Sequence, residues 1–221
     1  FKDKTYLVTQ DEGSVQVLQL NGVTFETAAS IPTGGTFTLK SADLAHDPVT
    51  DTLYLVNLDP VVEAGGYDAR IRAFSNRNLS TPTPPIVGTI SGLDYMSEIE
   101  GFGACNNLIF FATHTSDTYV SRIVDARSGF VHELSYNATS FGCDRQNRIW
   151  VNHNTETQVS TNNVFARLDN SLAIQQTLPD DIYDTGNTLN RIKLDQATGY
   201  MYMLYKDTSE DFAVYRYNSN Y

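Results

Sequence analysis

The chain has 221 residues, with 26 acidic against 15 basic side chains and a formal net charge of −11. A chain of this length can bury about 70% of the surface its unfolded form exposes, enough for one sizeable domain over residues 1–221 and cramped for two. The negative charge repels nucleic-acid phosphates and anionic bilayers, and no apolar run approaches the roughly 20 residues that span a bilayer, so neither nucleic acid nor membrane insertion is expected.

No basic segment followed by an apolar one opens the chain at Phe1, so a signal peptide was either never present or has been removed. From there an aromatic-rich apolar run followed by a second strand-like run occurs five times. The first pair is Tyr6 to Val8 with Val15 to Leu20, followed by a weaker strand from Thr24 to Ile31. Leu44-Ala45-His46 then enters a turn at Asp47 to Asp51, and Leu53 to Val56 pairs with Arg70 to Phe74. Gly101 to Ala104 turns at Cys105 to Asn107 into Leu108 to Ala112, which pairs with Val120 to Val124. Ser140 to Gly142 turns at Cys143 to Asn147 into Ile149 to Val151, paired with Val164 to Leu168 and followed by Ala173 to Leu178. Ile192 to Leu194 turns at Asp195 to Gly199 into Tyr200 to Tyr205, paired with Phe212 to Tyr217. Asp, Asn, Gly and Pro gather at these turns because they tolerate turn dihedrals or hydrogen-bond their own backbone.

A short strand, a continuous apolar strand and two more polar strands form a unit of about 40 to 55 residues, the blade pattern of a propeller. The second strand of a blade is covered on both faces, so it loses period-two alternation, as Leu108 to Ala112 and Tyr200 to Tyr205 do. The expected class is therefore all-β, a β-propeller of about five four-stranded repeats with incomplete first and last blades. A β-sandwich with ordinary hairpins is the competing architecture.

The stretches Tyr6 to Gln10, Gly13 to Leu18, Ala29 to Gly34, Leu44 to Asp47 and Thr52 to Asn57 resemble the repeat of YVTN-type and related propellers. The resemblance implies a fold and no particular activity. Irregular spacing departs from the pattern, as does an apparent insertion from Asp59 to Ala69. The first repeat begins at its second strand and the last stops after its third, so the two end pieces overlap in strand type and do not merge into one blade. Two open sheet edges follow from this, and an open edge is a template for another chain. Homo-oligomers or filaments built by strand addition are one expectation; the other is that the sequence is a fragment.

Cys105 and Cys143 hold equivalent places in consecutive repeats, where innermost strands converge, so a disulfide is expected, with two buried thiols as the alternative. A bridge points to an oxidising compartment. Two glycosylation sequons, Asn78-Leu79-Ser80 and Asn137-Ala138-Thr139, fall at expected turns or blade junctions, and together these features predict a secreted, extracellular glycoprotein.

Every loop between second and third strands carries acid: Asp11 and Glu12; Asp59, Glu63 and Asp68; Asp117; Glu156; Asp207, Glu210 and Asp211. That face is expected to be negative, either a solvated surface or a site for calcium or a cationic partner, although no EF-hand spacing occurs. The histidines are His46, His114, His132 and His153; His114 and His153 end comparable strands, but two imidazoles without a third ligand make no metal centre. The metal content is left unknown, no cofactor is expected, and no nucleophile elbow, Walker A loop, Rossmann fingerprint or zincin motif is present.

The leading reading is a non-catalytic module for structure or protein interaction. A lectin-like propeller is one alternative, with aromatic platforms beside the amides of Asn57, Asn152 and Asn154. A glycoside hydrolase is the other, with Asp43, Glu98, Glu100 and Asp184 converging from different innermost strands as acid and nucleophile or base.

Overall fold

The structure is a computed structural model of the chain. It describes residues 4–11, 13–33, 42–61, 65–74, 79, 84–94, 97–114, 119–144, 146–154, 163–177, 188–195, 200–206 and 212–218. These residues form five antiparallel sheets in which neighbouring strands follow chain order.

The first sheet contains β1 (Tyr6–Asp11), β2 (Ser14–Asn21) and β3 (Thr24–Pro32). The second contains β4 (Ala42–Asp47), β5 (Thr52–Val61), β6 (Gly66–Phe74) and β7 (Ile86–Asp94). The third contains β8 (Glu98–Cys105), β9 (Leu108–His114), β10 (Tyr119–Asp125) and β11 (Val131–Glu133). The fourth contains β12 (Asn137–Cys143), β13 (Ile149–Asn154), β14 (Asn163–Leu168) and β15 (Ile174–Thr177). The fifth contains β16 (Thr188–Asp195), β17 (Tyr200–Lys206) and β18 (Phe212–Asn218).

The sheets stack face against face, which is why their central strands lack a polar side. On β5 every residue from Thr52 to Asp59 is buried. Tyr54, Val56 and Leu58 pack with Phe102, Ala104, Ile109 and Phe111 between the second and third sheets. Leu53, Leu55 and Phe74 turn the other way, onto Val15, Val17 and Ile31 of the first sheet. Phe110, Ala112 and Ile123 meet Ala138, Phe141 and Val151 between the third and fourth, where the rings of Phe110 and Phe141 stack with centroids 5.4 Å apart.

The first strands of successive sheets lie side by side: β4 against β8, β8 against β12, and β12 against β16, with β1 also touching β4. Glycine makes the closest of these approaches possible. A Cβ on Gly101 would sit 2.3 Å from the Thr139 carbonyl oxygen, and one on Gly103 would sit 2.6 Å from that of Phe141. Both distances are too short for any side chain, so β8 and β12 come this near only because two glycines face the neighbouring backbone.

Two further devices tie the sheets together at the turns between first and second strands. The buried carboxylate of Asp47 accepts hydrogen bonds from Val49 N in its own turn and from Asn106 N and Asn107 N of the next sheet, at 2.9, 3.0 and 2.7 Å. Those last two residues form a two-residue hairpin turn with φ of 53° and 63°, the left-handed pair that Asn tolerates. One sheet onward, Cys105 and Cys143 are joined by a disulfide across a Cα separation of 5.3 Å.

The expected insertion from Asp59 to Ala69 takes the form, in its described residues, of ladder rather than loop. Strands β5 and β6 pair in continuous register from Leu53 with Phe74 out to Val61 with Gly66, so these residues lengthen one hairpin. The acidic residues had suggested a loop, but Asp59 and Asp68 face each other in the ladder.

Candidate functional site

Hairpin connections alternate between the two ends of an antiparallel sheet, and this separates the molecule into two faces. The contact of Asp47 with Asn106 and Asn107, and the Cys105–Cys143 bridge, place the first-to-second turns of the second, third and fourth sheets on one common face. The acid-rich second-to-third connections therefore open on the other. Of that group, Asp59 is no solvated loop acid: it is buried on β5 and takes the Arg70 guanidinium at 2.9 Å and that of Arg72 at 3.8 Å. Asn57 completes this cluster, donating to Asp59 and accepting from Arg72. Burial lowers the Arg72 pKa, and the Asp59 carboxylate opposes that shift. The side chain of Asp11 and all of Glu12, Glu63, Asp117, Glu156, Asp207, Glu210 and Asp211 lie outside the described residues.

Asn57 and Asn152 are fully buried, so neither amide is displayed to a sugar as the lectin expectation required. The Asn152 amide donates to Thr139 Oγ1 at 2.8 Å, and the Asn154 side chain lies outside the described set. Asp43 is on β4, and Glu98 and Glu100 are on the adjacent β8, all half-buried, whereas Asp184 is not among the described residues. His46 bonds Asp51 Oδ1 at 3.1 Å, and burial pulls its pKa below the ordinary value against that bond. The exposed His132 ring lies edge-on to Phe130. The His114 and His153 side chains fall outside the described residues. Among the described residues no group of three or more His, Cys, Asp and Glu could hold a metal ion. Asn137 opens β12 half-buried, while Asn78 is not described.

A cleft missing from the sequence-level expectations lies on the turn face, between the third and fourth sheets. Its volume is about 690 Å³, and it is lined by turn and strand-end residues of both sheets, including Asn106, Arg127, Asn147, Arg148, Arg167 and Asp169. The turn chemistry shapes it. Asp144 is fully buried and accepts from Gln146 N at 2.9 Å, Arg148 N at 2.8 Å and Trp150 Nε1 at 2.8 Å while pairing with the Arg148 guanidinium. Asp169 Oδ1 accepts from Ser171 Oγ, Ser171 N and Ala173 N at 2.7, 2.8 and 3.1 Å. The Ser171 hydroxyl, followed by these turn amides, lowers the Asp169 pKa.

The three arginines differ in how they are matched. Arg148 has its carboxylate in Asp144. Arg127 donates to the neutral carbonyl and amide oxygens of Asn106, each at 3.4 Å. Arg167 keeps its Nε buried with no hydrogen-bond partner. Among the described residues neither Arg127 nor Arg167 has a carboxylate within salt-bridge distance. Sequence reasoning passed over these residues because isolated arginines beside turns read as solvated charge. The recurrence of Arg within two residues of Asp in Asp125-Ala126-Arg127 and Arg167-Leu168-Asp169 was the available signal.

No family model matches the chain. No curated protein matches it. Solved structures do. A chain in a prolyl endopeptidase structure superposes with a TM-score of 0.60 at 13% identity, over 96% of this chain and 32% of that one. A chain of a nidogen/laminin complex gives 0.58 at 13% identity, over 97% and 74%. An uncharacterized protein from Listeria monocytogenes EGD-e gives 0.52 at 10% identity, over 99% and 60%. The chain thus spans about three quarters of the nidogen/laminin match and less than two thirds of the other two. At such identities the shared property is the fold, and with the stacked antiparallel sheets it makes this chain a β-propeller repeat protein.

Proposed function

We propose that the chain is a secreted, non-catalytic β-propeller of five repeats, one domain over residues 1–221, serving as a structural or protein-interaction module. In this reading the first and last sheets are incomplete blades that receive a strand from another subunit. The observation that carries it is the edge of the last sheet: among the described residues β18 is paired only with β17. That edge strand carries the apolar Val214, 67% exposed. An unpaired, apolar edge offers a row of backbone donors and acceptors to an incoming strand. A head-to-tail contact of this kind extends into a filament unless its rotation closes a ring.

The nidogen/laminin likeness supports the interaction reading, since that structure is a complex of two proteins. Secretion is supported by the disulfide, which is uncommon in reducing compartments. Glycans at Asn78 and Asn137 belong to the same proposal.

Sedimentation velocity across a hundredfold concentration range tests the assembly. Growth of larger species is expected, and Val214→Lys, which places a charge on the β18 edge, should suppress it. A sharp monomer at the highest concentration overturns strand addition. Intact mass before and after enzymatic deglycosylation of secreted protein tests the two sequons separately.

A further inference from the structure

We propose that the cleft between the third and fourth sheets binds a short acidic peptide segment of a partner protein, with Arg167 and Arg127 receiving its carboxylates. The inference deepens the interaction-module reading and rests on it, but it concerns a different surface from the strand edges.

The cleft has the volume of a small-ligand site, about 690 Å³. Among the described residues two of its arginines are unmatched by carboxylate, in a chain whose net charge is −11, where acidic partners are abundant. Arg127 has settled for neutral oxygens. Arg167 is the more telling case, because its buried Nε has lost water and gained no acceptor. A guanidinium held part-way out of water is poorly solvated and gains more from an anion than a fully exposed one does. Because Nε has no exposed surface, the two terminal nitrogens are the edge of the fork left to take a carboxylate through two parallel N–H···O bonds.

Among the described residues the acids of the cleft lie outside salt-bridge distance of Arg127 and Arg167. Asp144 is spent on Arg148 and Trp150. Asp169 and Asp125 each commit an oxygen to turn N–H groups, Asp125 accepting Arg127 N at 2.9 Å. The rest of the lining favours peptide over sugar. Asn106, Gln146, Asn147, Asn170 and Gln175 supply both donors and acceptors for an extended backbone. Among the described residues no aromatic ring, the usual platform for a sugar face, lines the cleft.

The probe is a fluorescein-labelled Gly-Glu-Asp-Glu-Gly peptide, read by anisotropy. Its competitors are the unlabelled amide analogue Gly-Gln-Asn-Gln-Gly and trigalacturonate. Wild type should bind the probe, the amide analogue should compete at least tenfold less well than unlabelled acidic peptide, and Arg167→Gln should weaken binding about tenfold or more with the melting temperature unchanged. Arg127→Gln should weaken it by a smaller factor, and Arg167→Lys should fall between wild type and Arg167→Gln. The proposal is overturned by absence of binding, by equal competition from the amide analogue, by stronger competition from trigalacturonate, or by wild-type affinity in both glutamine variants. Sedimentation of the same samples separates the two ideas: assembly without peptide binding removes the cleft site alone, and peptide binding by a strict monomer removes strand addition alone.

Discussion

Replacing Cys105 and Cys143 together by alanine opens the covalent tie between β8 and β12 and frees the unfolded chain of a loop of 38 residues. In the chain-entropy relation such a loop corresponds to about 13 cal/mol/K, or about 4 kcal/mol at 25 °C. For a domain of this size each kcal/mol moves the melting temperature by about 2–4 °C, so a fall of about 8–15 °C is expected. The folded state should survive, because β8 and β12 are also held by the glycine-lined approach at Gly101 and Gly103 and by the Phe110–Phe141 stack. Calorimetry and near-ultraviolet circular dichroism on wild type, the double variant and reduced wild type separate these effects: native spectra at 20 °C, with a lower transition in both altered samples. A fall of less than about 3 °C in both would refute the reasoning, since it would mean that opening this loop gives the unfolded chain no added freedom.

Two other perturbations probe different links. Gly101→Ala puts a methyl group 2.3 Å from the Thr139 carbonyl oxygen and 3.1 Å from the Phe110 ring, and backbone cannot yield as a flexible side chain does. A loss of about 1–3 kcal/mol is expected from urea unfolding, and an unchanged midpoint would show that β8 and β12 are not so close. His46 is held below its ordinary pKa of 6.5, burial outweighing the bond to Asp51. The unfolded chain therefore binds the proton more readily, so the contribution of this group is complete above pH 6.5 and is lost as pH falls through the lower folded value. Urea midpoints between pH 7.5 and 5 should fall more steeply for wild type than for His46→Gln, and parallel slopes would contradict the sign.

Recurrence makes the architecture legible in the sequence itself. Continuous apolar strands such as Leu108 to Ala112 announced burial on both faces, and turn residues at Asp47 to Asp51 and Cys105 to Asn107 marked where each chain reversal falls. These are local properties, written in the period of the side chains and in the dihedral tolerance of Asn, Asp and Gly. The equivalence of Cys105 and Cys143 between repeats was readable for the same reason.

What could not be read is everything that depends on which side chains of neighbouring sheets meet. The acidic Asp59 suggested a solvated loop until the ladder carried it into a cluster with Asn57, Arg70 and Arg72. The Asn57 and Asn152 amides suggested exposed sugar contacts until face-to-face stacking buried them. The cleft is the clearest case: Arg127, in the turn after β10, and Arg167, on β14, lie forty residues apart, and only the closeness of the third and fourth sheets makes both line one space. Strand period and turn chemistry act over a few residues and so belong to the sequence. Charge pairing acts through space, and the tertiary structure alone decided which arginines found a carboxylate among the described residues.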